Sequence, residues 1–483
     1  MSEEPGAAAI EVIDREQLRS KKMKEMPVGK LLFVMALPAI VSMLVQALYN
    51  VADTIFIGMK YGLDGITALS IANPMQLLMI AAAIGIGVGT NVQIAKKLGE
   101  GKPEEASQAA KTGMLLSVIG AVIFTALGFI VSGPFIEGFT EAGGAVAEYG
   151  TTYLSVCMIG CAGVFVGVNC ARILQATGNM KMPMISQLIG AIINIALDPL
   201  FIFVFDMGTL GAALATVIGQ VASMLFALAV FIFKKQDVSI SPRGFRVKRT
   251  DIASILIIGL PTIVMNAVNA FTVLILNLIV IPINEFGIPI LGVYLKLNAF
   301  VFMPLFGLMQ GLMPILSYNF GYGDKARYKQ AYKKAMITSL IIMTVGFILF
   351  LTMPQYLVRL FGIGGDVSPD RVSQYIAAAT TALRIIAVCF LPAAFNVVNT
   401  TATQSLGKGA ISLIMSLLRQ VIILIPMAAL LGYITIAQNG TGFWFSYPIA
   451  ETVVFLIFTP YALRMINKRF AEKEKARRSL ETD

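Results

Sequence analysis

Seven uninterrupted apolar runs recur along the chain, at 31–52, 65–95, 112–136, 149–171, 207–233, 252–284 and 335–358. Each is long enough for a helix to cross a hydrocarbon core of about 30 Å. Five further runs, near 183–205, 286–319, 374–400, 410–431 and 442–463, carry single charges or helix breakers. A chain buried in lipid must satisfy its own backbone groups, so the pattern predicts twelve transmembrane helices joined mostly by short loops. Lys and Arg cluster at 15–30, 96–111, 234–249, 325–334 and 464–478, all on one side if every span crosses once. Only Lys60, Arg359 and Arg371 fall in the opposite loops, so the excess of positive charge makes the clustered side cytoplasmic, with both termini there. Residues 1–30 are polar and mixed in charge and do not read as a signal peptide.

The spans are duplicated. Residues 36–47, ALPAIVSMLVQA, resemble 259–270, GLPTIVMNAVNA, about 223 positions later, which sets Pro38 opposite Pro261. GIGVGTNVQIAKKLGEGK at 85–102 matches GLMQGLMPILSYNFGYGDK at 307–325, so Gly85, Gly89, Gly99 and Gly101 fall on Gly307, Gly311, Gly321 and Gly323. QATG at 175–178 pairs with QSLG at 404–407, and Gly211 to Gln220 with Gly442 to Glu451. Six spans per copy bring both copies into the membrane from the same side, a parallel repeat about an axis along the membrane normal. The expected organisation is a tail at 1–30, a first lobe at 31–233, a basic linker at 234–250, a second lobe at 251–466 and a tail at 467–483. Two facing bundles suit alternating access around a central cavity, and such a pair encloses a full pathway as a monomer.

Composition agrees with a membrane protein and narrows its chemistry. The 483 residues are 57% hydrophobic and 13% charged, with a mean hydropathy of +0.80. The net charge of +10 reflects topology and anionic lipid, and gives no reason to invoke nucleic acid. There is no histidine, which removes His-based catalysis and His proton relays and leaves carboxylates as the titrating groups. No convergent nucleophile, base or metal set marks an enzyme, no cofactor motif is present, and no selectivity filter marks a channel. Cys157, Cys161, Cys170 and Cys389 all lie in predicted spans and read as buried free thiols.

Two acids lie inside apolar runs without an acidic counterpart in the other repeat: Asp53 and Asp198. A carboxylate at that depth costs about 2.5 to 3.5 kcal/mol on insertion scales, so it marks function. Gln46, Asn50 and Asp53 share one helix face, while Asn194 and Asp198 are a turn apart and followed by Pro199, which lacks an N–H. Thr216 in the sixth span adds a neutral oxygen. Such a set of oxygens serves either sodium, which takes several hard ligands, or a proton on a carboxylate. Basic residues also enter the spans. Arg172, Lys296, Arg384 and Arg419 each lie several residues from a predicted end: Arg172 reads as snorkelling to the cytoplasmic surface, while Lys296 lies deeper and could pair with Glu451 or another acid, or bind an anionic substrate group. Phe300, Phe302, Met303, Phe306 and Met309 offer a soft apolar surface in one span.

The stretches ALPAI, QALYNVADTIFIG, IGVGTNVQIAKKLGEG, ALDPLF, GAALATVIGQ and YLKLNAFVFMPLFGLMQGLMPILSYNFG resemble the multidrug and toxic compound extrusion (MATE) transporters, in particular their bacterial multidrug branch. The resemblance covers nearly all of residues 28–466. It implies twelve helices in two lobes forming an open V, with organic cations expelled in exchange for entering Na+ or H+. It maps the amino-terminal cation site onto Asp53, Asn194, Asp198 and Thr216, with Na+ held at Asp53, Asn194 and Asp198. A carboxyl-terminal acidic site of some members would fall on Asn269 and Asn396, which carry no charge here. Gln46, Asn50, Asn269, Lys296, Phe300, Met303, Asn396 and Glu451 are the candidates for the substrate cavity. The resulting expectation is a cation-coupled antiporter in the cytoplasmic membrane, using no cofactor beyond its coupling ion. The alternative, kept open by Lys296, Arg384 and Arg419, is a flippase for a lipid-linked oligosaccharide.

Overall fold

The computed structural model describes residues 22–140, 143–359, 369–438 and 440–482, and the regular elements among them are all helical. Among the described residues, ten helical segments are long and apolar enough to cross a membrane, and two bent pairs, each counted as one span, bring the total to twelve. The first half contains α1 (Val28–Gly99), α2 (Pro103–Glu137), α3 (Ala145–Ile159), α4 (Ala162–Ala176), α5 (Lys181–Pro199) and α6 (Gly208–Phe233). The second contains α7 (Arg249–Val280), α8 (Gly287–Tyr322), α9 (Lys325–Thr352), a short α10 (Pro354–Arg359), α11 (Pro369–Ala387), α12 (Phe390–Ser405), α13 (Gly409–Leu417), α14 (Ile425–Ile434) and α15 (Ser446–Thr482). The fourth span of each half is broken, α3 to α4 and α11 to α12, each by 47°. Large apolar side chains such as Phe129, Ile130 and Phe233 are exposed. In lipid tails that exposure carries no penalty, whereas in water it would drive aggregation.

Helix α1 is 72 residues of continuous helical backbone, roughly 108 Å at 1.5 Å per residue if it were straight. Its contacts show that it doubles back and supplies two spans. At one end Gly99 packs on Tyr318 and Tyr322, and just ahead of α1 the carbonyls of Met23 and Met26 accept hydrogen bonds from Arg327. In its middle Lys60 pairs with Asp206 at 2.6 Å and Tyr61 packs on Tyr149. The Asp206 carboxylate holds the Lys60 ammonium above the usual lysine range.

The lobes join at the end that carries the basic clusters, and the duplicated glycines make the joint. Gly85 and Gly259 face each other so closely that a Cβ on either would lie within 2.8 Å of the other's carbonyl oxygen. Gly89 lies equally close to the Ile255 carbonyl of α7. In the second copy Gly307 and Gly311 of α8 lie against α1, where an added Cβ would meet the Ile40 Cα at 2.5 Å and the Ala36 Cα at 2.8 Å. Gly99 and Gly321 touch each other's helices, at the Tyr318 and Lys96 carbonyls. Each repeat thus packs its second helix on the other's first helix, as a two-fold axis between the copies requires. Only residues without a side chain let membrane helices approach this closely. As a result Val28, Leu31, Leu32, Met35 and Ala36 share the apolar core of the second half, while Ile57 and Met79 share that of the first.

Two further straps lie at this basic end. Lys473, on the extension of α15, donates to the Phe320 carbonyl at 2.8 Å and to that of Gly321, with Glu100 of the first half at 3.7 Å. Across the joint, Gln93 of α1 donates to the Ser254 carbonyl at 3.1 Å.

Candidate cation site and cavity

Helices α5 and α6 cross backbone to backbone at Gly190 and Gly219, where a Cβ on Gly219 would lie 2.6 Å from the Gly190 carbonyl oxygen. One turn from this crossing, Asn194 of α5 faces Thr216 of α6. The Asn194 amide donates to Thr216 Oγ1 and to Asp198 Oδ1, both at 3.4 Å. All three residues are buried, Asp198 completely. Asn194 Oδ1 has no hydrogen-bond partner among the described residues. Pro199 interrupts the helical ladder behind Asp198. The chain continues as a π-helical turn, Leu200–Val204, whose bonds include Phe205 N–H to the Leu200 carbonyl at 3.0 Å. Such a turn re-aims the groups around it.

The arrangement gathers a carboxylate, an amide oxygen and a hydroxyl where water is scarce. A carboxylate with neighbouring neutral oxygens suits a small hard cation or a proton. Among the described residues no three His, Cys, Asp or Glu side chains come together, so they offer no acid-rich or thiolate metal centre. Asn50 and Asp53 lie on the backbone of α1, but their side chains fall outside the described residues. Close by in α1, the Phe56 ring lies 6.3 Å from Phe203 of the π-helical turn, so α1 runs past this region.

The Asn194–Thr216 cluster opens onto a cavity of about 170 Å³ lined by the first half and by Gln310 of α8. Its polar lining includes Ser42 and Gln46 of α1, Arg172 and Gln175 of α4, Gln187 of α5 and Gln220 of α6. Arg172 therefore does not snorkel to a headgroup. It faces the cavity and donates to Gln175 Oε1 at 3.1 Å. Gln175 in turn donates to Gln310 Oε1 of α8 at 3.2 Å, which links the cavity wall to the joint between lobes.

In the second half, Glu451 accepts from Arg419 Nη1 at 3.1 Å and from the Asn396 amide at 2.7 Å. Its carboxylate is thus taken by Arg419, on the π-helical segment Leu418–Leu424, and not by Lys296. Asn269, Lys296 and Phe300 are exposed and Met303 is half-buried, none of them lining the first-half cavity. Arg384 donates to the Leu351 carbonyl at 3.2 Å. The four cysteines are buried free thiols. Removing Arg419 would leave the partly buried Glu451 carboxylate, 14% exposed, without its counter-charge. Arg419→Ala is expected to lower stability by about 2–4 kcal/mol, and Arg419→Met with Glu451→Gln by clearly less, measured by thermal unfolding in detergent.

A family model described as MatE matches residues 38–200 and 261–430, beginning at the paired prolines Pro38 and Pro261 and returning once per repeat. The chain belongs to the MatE family. It is similar to the multidrug export protein MepA of Staphylococcus aureus (strain MSSA476), 28% identical over 89% of this chain and 92% of the relative. It is also similar to that of Staphylococcus saprophyticus, 26% identical over 87% and 90%. Among solved structures, a MATE in complex with MaL6 has the same fold, with a TM-score of 0.87 at 23% identity, covering 93% of this chain and 98% of that one. So does a multidrug resistance MATE family transporter in an outward-facing conformation, with a TM-score of 0.85 at 24% identity and the same coverage. Within this MatE chain, the polar residues that line the cavity and were not singled out in the sequence include Ser42, Gln175, Ser186, Gln187, Gln220, Ser223 and Gln310. Gln175 and Gln220 lie in the repeated QATG and GAALATVIGQ stretches, and that recurrence was their available signal.

Proposed function

We propose that this chain is a monomeric multidrug exporter that moves organic cations out of the cell in exchange for entering Na+ or H+. It works in the cytoplasmic membrane with its basic end and both termini inside. The observation that carries this reading is the buried Asn194–Asp198–Thr216 cluster at the edge of a largely apolar cavity with polar groups in its wall, in a chain whose MepA relatives are named multidrug exporters. A cation or proton at Asp198 changes the charge of α5 beside the α5–α6 crossing. The ligand drives transport by binding one access state better than the other. Asp53 completes the coupling site, and Gln46, Asn194 and Thr216 are shared with the substrate cavity. With the basic end closed by its glycine joint, the present arrangement is the one that faces outward.

The test is export of ethidium from the chain reconstituted in proteoliposomes under an imposed sodium or pH gradient. Export driven by one gradient and not the other supports the reading and names the ion. No export under either contradicts it.

A further inference from the structure

Three arginines lie within the spans, and what faces each differs. Arg419 has the Glu451 carboxylate, and Arg384 has the Leu351 carbonyl. Arg172 has the neutral Gln175 amide, and no carboxylate lies within ion-pairing distance of it among the described residues. A guanidinium carries five N–H donors in a planar fork, and burying it without an anion is costly. Yet Arg172 is turned into a cavity, and among the described lining residues it is the only charged one. Neutral amides and hydroxyls from Gln46, Gln187, Gln220, Ser186 and Ser223 surround the same space. At the cavity's other polar edge, the buried Asn194 Oδ1 has no hydrogen-bond partner among the described residues.

We infer that Arg172 is an anchor for the carboxylate of a zwitterionic substrate, whose cationic group points toward the Asn194–Thr216 edge, behind which Asp198 is buried. This rests on the reading that the cavity is the substrate site. A single guanidinium matches a carboxylate in charge and in fork geometry. A phosphate, with up to two charges, would need a second basic residue that the lining does not supply. A purely cationic substrate gains nothing from Arg172 and is repelled by it, so the residue sorts substrates by the presence of a carboxylate.

The test uses the full chain in detergent and two dyes of nearly the same shape: rhodamine B, which carries a free carboxylate, and its ethyl ester, which does not. The readout is the ratio of their affinities by fluorescence anisotropy. Arg172→Gln is expected to lower the rhodamine B to ester ratio about tenfold or more, the loss of a charge-assisted pair, and Arg172→Lys to lower it less. If Arg172→Gln does not fold, Arg172→Lys and the wild-type ratio carry the test. An unchanged ratio, an equal loss for both dyes, or failure of the wild type to bind rhodamine B overturns the inference. Failure of the wild type to export the ester from proteoliposomes contradicts instead the exporter reading.

Discussion

Asp198→Asn is expected to reduce gradient-driven export on the order of 100-fold, to near the leak rate, while leaving the fold intact. The side chain keeps its shape, so the packing of α5 against α6 is preserved. What is lost is the charge that binds the coupling cation. A loss of about 3 kcal/mol in the cation's differential affinity for two access states is two decades in their ratio. Stability should move the other way. A completely buried carboxylate is costly at membrane depth, so the neutral variant should unfold at the same temperature as wild type or higher. Export and thermal unfolding measured on one preparation check both halves. A variant that is both inactive and destabilised would make Asp198 a structural residue. Asp53→Asn, at the acid proposed to complete the coupling site, is expected to lose gradient-driven export as well.

The second large effect is expected at the glycine joint. Gly99→Ala and Gly321→Ala each place a methyl group onto a backbone carbonyl of the opposing helix, at Tyr318 and Lys96. No flexible side chain is there to yield, so the helices must separate. Overpacking of this kind costs about 1–3 kcal/mol or more, roughly a five- to 150-fold fall in the closed-to-open ratio of the basic end. Spin labels on cysteines at Lys102 and Lys325, read by pulsed electron resonance, should show the distance distribution shift outward. Gly292→Ala is the control, because a Cβ there meets nothing within 4 Å. An unmoved distribution in the Gly99 and Gly321 variants would mean that the glycines do not set the closed state.

Much of this architecture is legible in the sequence because it depends on local length and repetition. Twenty apolar residues suffice to announce a span, and the paired prolines Pro38 and Pro261 mark where the repeat restarts. The breaks in the fourth and tenth spans were not legible in hydropathy: the expected single helices 149–171 and 374–400 are each two pieces. Hydropathy runs smoothly through Gly160 and Val388, and no proline stands at the first break; at the second, Pro392 lies four residues past Val388 and cannot donate to its carbonyl, a local signal that a reading by span length passed over. The i, i+4 relation of Asn194 to Asp198 is local and readable. The approach of Thr216 depends on the Gly190–Gly219 crossing, which no local pattern announces. Arg172 shows the same limit from the other direction. Its position near the end of a span suggested a headgroup, and only the packing of α4 beside α5 and α6 turns it into a cavity. Likewise Glu451 lies 32 positions from Arg419, so their pairing follows from how the last spans pack and not from sequence spacing.

The central claim is that a cation entering at the first-half site drives substrate out. Its most direct test is simultaneous measurement of ethidium export and of Na+ and H+ entry in one proteoliposome preparation, for wild type and Asp198→Asn. The account predicts that one ion enters in fixed ratio to ethidium leaving, and that both fluxes vanish together in the variant. Continued ethidium export without ion entry in Asp198→Asn, or wild-type export with neither ion moving, would contradict it.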